Sequence, residues 1–385
     1  DTRERRRIAG EFTVSILDQV TERTYPDTVL FARTNYDTHG YTVHPYFLLE
    51  EATSGRRFDT FLPYRCLLPR GLEGLLVTGL GVSIHRDAQP LIRMQPDMQN
   101  LGYATGVAAA MACEGDVSPR DIDVRALQRH LAERECLPKE VLMHGDSHPL
   151  PEAHIAEAVQ TVGEKYGRIA VLLAHPERAR PLVHEAWRQA ETPQRRLTCA
   201  QILATMGDGS GASDLLAEVK RHSNWDEGWN FRAMGQFGRN MSPLDANVVL
   251  LARTGDKRAL KPILALAEKL DADTDFSHHR AVAQAVEWLG DPAAAPVLAG
   301  ILDKPGMTGH CLDSVDRAVE KHTVLDPGLT GLKPRRRSLR ELILARALYR
   351  CGDHDGRGET ILRRYTGDVR GHLARHAAAV LKPNE

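Results

Sequence analysis

At 385 residues the chain is long enough for two or three domains. Its 50 Lys and Arg against 51 Asp and Glu leave no general attraction to nucleic acid or anionic membrane. No apolar run approaches the length of a membrane span, and the six cysteines form no Cys–x–x–Cys pair, so neither a disulfide framework nor a zinc knuckle is indicated.

The chain opens with a basic run ending in Arg6-Arg7-Ile8, and Phe12 to Thr21 gives a mixed signal. Thr28 to Thr34 predicts a strand, followed by the turn-rich loop Asn35 to Gly40, which holds His39. Arg57 to Pro63 alternates as a second strand would. Leu75-Leu76-Val77-Thr78 predicts a buried strand stopped by Gly79. A polar stretch follows, with Ser83, His85, Arg86, Asp87 and Arg93. Pro96 stands where a helix begins, a position at which a missing N–H costs nothing. From Asp97 to Met111 the pattern is helical and rich in small residues, and Gly102, Gly106 and Ala110 share one face. Such a face admits another backbone or a flat ligand, and the first turn's free N–H groups attract negative charge. The plain alternative is an ordinary strand–loop–helix packed on a neighbour. Ile122, Val124, Leu127 and Leu131 make the apolar side of one more helix.

Gly79-Leu80-Gly81-Val82-Ser83-Ile84 begins like a dinucleotide-binding glycine loop. Ile84 takes the place of the third glycine, and Asp87 and Pro90 interrupt the helix that should follow, so it fails as one.

Several motifs in this order resemble the C-terminal part of an FAD-dependent oxidoreductase whose flavin domain is of the glutathione-reductase type. They are Pro63-Tyr64-Arg65, Gly79, Ser83 with His85, Ile92-Arg93 with Pro96, and Leu101 to Gly106. The likeness covers about the first third of the chain. It implies FAD as cofactor, a small-molecule substrate, and hydride transfer between substrate and flavin. It implies Gly79, Arg93, Pro96, Gly102 and Tyr103 as cofactor contacts, and His39 and His85 as proton handlers. In that family the glycine loop lies upstream, so the chain is expected to be a partial α/β (α+β) flavin domain lacking its dinucleotide-binding part.

A breaker-rich linker is expected at 144–151, separating a flavin part (1–143) from an all-α part (152–385). In the second part Gly207-Asp208, Gly255-Asp256, Gly290-Asp291 and Gly352-Asp353 each follow an apolar helical run, at intervals of 48, 35 and 62 residues. Gly suits the left-handed end of one helix and Asp the cap of the next. The pattern resembles HEAT-like repeats and predicts an α-solenoid, with a compact bundle as the plain alternative. A solenoid offers a surface for a protein partner, and a second reading makes the chain an interaction scaffold with a vestigial flavin part. Lys333 to Arg337 reads as a solvated loop before a helix capped by Ser338, and Trp225 and Trp229 as anchors on one helix. His372 and His376 have metal-capable spacing without an acidic third ligand, and no metal site is predicted.

Overall fold

Two strands, β1 (Thr28–Asn35) and β2 (Arg57–Pro63), pair antiparallel with Leu30 opposite Leu62, Phe31 opposite Phe61 and Ala32 opposite Thr60. Val29, Leu30, Ala32, Phe58, Thr60 and Leu62 are buried, while Arg33 and Asp59 form an ion pair on the outer face. The alternation of β2 made it legible, whereas β1 buries Thr28, Val29 and Leu30 in succession. The computed structural model describes residues 6–38, 40–51, 56–230, 240–325 and 332–382. The chain divides into two compact units, Asp1–Leu182 and Val183–Glu385.

In the first unit the helices are α1 (Ile16–Val20), α2 (Tyr46–Leu49), α3 (Gln95–Glu114), α4 (Val124–Glu133), α5 (Glu152–Thr161) and α6 (Arg168–Ala174). Helix α3 packs on β1. It buries Leu101, Ala104, Ala108 and Ala112 in one core with Val29, Leu30 and Leu62 of the sheet and Leu127 and Leu131 of α4. Asp123 caps α4 by accepting the Ala126 N–H. Buried Gln128 of α4 donates to the carbonyls of Pro26 and Thr28, which ties α4 to the head of β1.

The predicted strand at 75–78 does not form. Among the described residues the sheet has two strands, and Leu75 is 45% exposed. A four-residue apolar run without a pairing edge leaves its backbone unsatisfied as a strand. Here it is an irregular segment between two left-handed glycines, Gly74 and Gly79. Loop 144–151 is present, and the helices beyond it, α5 and α6, pack on each other, α6 also against α1 and α2. Glu50 fixes this docking by accepting the Gly167 N–H at 3.0 Å.

Helix α7 (Pro176–Arg188) crosses between the units. The second unit holds α8 (Pro193–Thr205), α9 (Ala212–Lys220), α10 (Pro243–Arg253), α11 (Leu260–Ala267), α12 (Phe276–Leu289), α13 (Ala295–Asp303), α14 (Val315–Leu325), α15 (Leu332–Arg350), α16 (Arg357–Tyr365) and α17 (Gly371–Leu381). Helices α8, α10, α12 and α15 pack in succession, and α9, α11 and α13 pack in succession beside them. The four Gly-Asp turns have the expected geometry. Gly207, Gly255, Gly290 and Gly352 all have φ between 61° and 98°. Asp208, Asp256 and Asp291 each accept the N–H two residues on, and Asp353 accepts those of Gly358 and Glu359.

Two expectations fail in this unit. Trp225 and Trp229 do not lie on a helix. Trp225 stacks on His278 with ring centroids 4.5 Å apart and donates Nε1–H to the Leu266 carbonyl, so it straps an extended segment to the helices. Lys333 to Arg337 are not a loop but the opening of α15. Ser338 is buried in the second turn, where its hydroxyl bonds the Pro334 and His310 carbonyls instead of capping. Beneath Trp225, His278 Nδ1 meets Asp245 Oδ1 at 2.7 Å in a fully buried pair, and Nε2 faces the Asp226 carbonyl.

Candidate functional site

Helix α3 carries no charge from Met98 to Cys113 and is rich in small residues from Gly102 onward. One side is in the core; Gly102, Gly106, Ala109, Ala110 and Cys113 are exposed on the other. A β-carbon built on Gly102 or Gly106 meets no atom within 4 Å. The small residues therefore do not serve close packing within the described chain. Gly102, Gly106, Ala109 and Cys113 line a cleft of about 650 Å³ together with Gly74, Leu76 and Thr78 and with Asp116, Val117 and Pro119. The apolar segment expected as a buried strand is the lip of this cleft. Gly79 follows Thr78 there and opens a single 3-10 turn, with a φ of 66° that only glycine adopts at no steric cost.

The polar stretch after Gly79 is held from two sides. Ser83 is fully buried, accepts the Gly10 N–H at 3.0 Å and pairs with the Thr13 hydroxyl at 2.7 Å. Toward the other side, the stretch clamps the loop that follows β1. The buried Arg93 guanidinium donates to the Asp37 carbonyl at 2.5 Å. Arg86 donates to the Tyr41 carbonyl at 2.6 Å, and one oxygen of Asp87 accepts the N–H groups of Val43 and His44 at 2.7 and 2.6 Å. Arg93 thus holds Asp37, and Asp87 holds Val43 and His44, in the loop that follows β1. Sequence reading placed Arg93 at a cofactor edge. The structure places it on this loop, immediately before α3.

His85 is half-buried. Its Nδ1 accepts the Asp87 N–H at 3.2 Å, which leaves the proton of the neutral ring on Nε2. Burial holds its imidazole below the ordinary value, against the pull of Asp87. His44 packs edge-on at 5.4 Å and accepts the Tyr46 N–H through its own Nδ1. His39 lies outside the described residues. Pro96 sits in the first turn of α3 as expected. Tyr103 is exposed beside Gly102, bonded through its hydroxyl to His130 Nε2 of α4 at 2.8 Å.

Two residues escaped the sequence reading. His44 gave no signal, because only the turn at Pro45 brings its ring onto His85. Asp97 reads as an ordinary acidic residue in a first turn, favoured by the helix dipole. It is half-buried, and burial pushes its carboxyl up to about 6, against the hydrogen bond from the Met94 backbone. A carboxyl titrating there can pass a proton near neutrality. Among the described residues no group of His, Cys, Asp and Glu could hold a metal ion.

No curated protein and no solved structure matches the chain. Residues 2–131, which hold the cleft, the loop after β1 and α3, match the family model of the FAD dependent oxidoreductases, a family that implies FAD as its cofactor.

Proposed function

We propose that the first unit is the flavin-facing part of an FAD-dependent oxidoreductase acting on a small organic substrate. The observation that carries this reading is the open, glycine-floored cleft along α3, inside the segment similar to that family. An uncharged floor of small residues fits a flat, largely apolar ring, and the lining is mostly apolar with few polar groups. FAD supplies a hydride acceptor at N5 of its ring. In this reading Gly79, Gly102 and Tyr103 flank the cofactor, and the α3 N-terminus around Pro96 lends positive potential to its edge. Arg93 contributes by fixing Asp37 beside that N-terminus. His85 gives or takes a proton at Nε2, and Asp97 is a second group able to do so.

The finer assignments are part of the same proposal: a flavin domain of the glutathione-reductase type, and a HEAT-like repeat character for the helices after the 144–151 loop. The repeated Gly-Asp turns and the two successions of packed helices support the latter. The test is an equilibrium titration of FAD with the purified chain, read by quenching of flavin fluorescence. Saturable quenching at micromolar FAD is expected. Full flavin fluorescence throughout, with the chain folded by circular dichroism, would sink the assignment of a seat on this unit.

A further inference from the structure

Helix α15 begins against its own dipole. Its first six residues include Lys333, Arg335, Arg336 and Arg337 and no acid. Cations at a helix N-terminus meet the positive end of the macrodipole and destabilise it. The neighbourhood adds to the positive charge. On α14, burial and then Arg317 and Arg337 hold the Lys321 ammonium below its ordinary value. One turn into α15, Arg340 is pushed down to about 10 by burial, with Arg337 and Arg336 adding to it. On α17, His372 is held down by burial and then by Arg335 and Arg370.

Several carboxylates near this ground are already engaged. Glu341 is buried and accepts the Gly309 and His310 N–H groups and the Tyr365 hydroxyl. Asp368 is buried on Arg370 and the Leu312 N–H, and Asp313 pairs with Arg317. No carboxylate pairs with Lys333, Arg336 or Arg337 among the described residues. Residues 333–382 carry thirteen Lys and Arg against five Asp and Glu, although the whole chain is near neutral.

We propose that the α15 N-terminus, with Lys321 of α14 and the start of α17, is a docking surface for a short acidic segment of a protein partner. Arginine forks fit carboxylates in pairs. Two observations favour a peptide over nucleic acid. Among the described residues of this unit the exposed large aromatic is Trp288, whose ring is covered by Arg253, so none of them offers a ring platform for bases among these cations. The remainder of the chain has an acidic excess that repels a long polyanion, whereas a short acidic segment meets the cations alone.

The experiment measures fluorescence anisotropy of a labelled short peptide of alternating Glu and Asp titrated with the full chain. Parallel titrations use the Gln/Asn version, a single-stranded oligonucleotide of equal length and phosphatidylserine vesicles. The acidic peptide is expected to bind, more weakly as salt rises, and the Gln/Asn version not to bind. The Arg336→Gln/Arg337→Gln double variant should weaken binding at least tenfold with a thermal midpoint unchanged or higher, because the removed charges oppose the helix. Absent peptide binding, equal binding of the uncharged version, undiminished affinity of the variant, or tighter binding of oligonucleotide or vesicles each overturns the proposal.

Discussion

Replacing Gly102 and Gly106 together by alanine separates a structural role for the α3 face from a cofactor role. Both glycines lie in the interior of a twenty-residue helix, where each costs about 0.8–1.0 kcal/mol relative to alanine. Their added β-carbons meet nothing within 4 Å, so no strain offsets the gain. The double variant should therefore be more stable by about 1.6–2 kcal/mol. For a unit of this size that is a rise in thermal midpoint of roughly 3–8 °C. Two methyl groups on the cleft floor then stand where a flat ring must approach, and FAD affinity should fall at least about tenfold, equivalent to about 1.4 kcal/mol. The assays are thermal unfolding of the FAD-free chain and quenching of flavin fluorescence. A stabilised variant that binds FAD as tightly as the parent refutes the cofactor seat. A variant that melts lower refutes the open face itself.

Three further outcomes follow from particular contacts. Asp245→Asn leaves the buried His278 ring without its counter-charge, and should cost the second unit about 3–5 kcal/mol in urea unfolding. The Asp245 carboxylate, with Asp226 and Asp275 nearby, holds the His278 imidazolium above its ordinary value despite burial. Its stabilisation is therefore complete below about pH 6.5 and lost as pH rises through the raised value, a slope that Asp245→Asn should flatten. Gly10→Ala places a β-carbon 2.6 Å from Ser83 Cβ, which cannot swing aside; a loss of about 1–3 kcal/mol in the first unit is expected, and unchanged unfolding would contradict the close approach. Asp97→Asn removes a carboxyl whose folded value is raised, so the charge costs stability once pH climbs from about 4 through about 6. After allowance for solvent screening the variant should gain about 1 kcal/mol at pH 7.5 and nothing near pH 4, read as thermal midpoints at the two pH values.

The elements legible in the sequence are those whose signal is local. Strand β1 showed its β-branched and aromatic residues, β2 its alternation, α3 its proline start, α4 its apolar side, and the Gly-Asp turns of the second unit their paired residue types. What escaped depends on partners distant in sequence. The Arg93 bond to the Asp37 carbonyl spans 56 residues, and the link from Asp87 to Val43 spans 44. The types of these residues announced a polar site, but nothing local showed that they hold a loop. The pairing of His44 with His85 was hidden for the same reason. Trp225 and Trp229 misled because spacing by four is helical only where the backbone is.

The failed readings are informative in themselves. Local rules break in a folded chain chiefly where another demand overrides them. Leu75 to Thr78 should be buried by composition and instead edge an open cleft. Exposed apolar residues opposite an exposed glycine face are costly unless something flat covers both, which is the condition the flavin reading supplies. Lys333 to Arg337 should be loop by composition and instead open a helix at its least tolerant end. That arrangement lowers the stability of α15 and concentrates positive potential on one surface, which is what an acidic partner requires. These two misfits each lie inside a proposed binding surface, and neither depends on the other. The cleft variants act on FAD and leave the acidic peptide untouched, while the α15 variants do the reverse. A cross-effect in either direction would show that one of the two surfaces has been drawn in the wrong place.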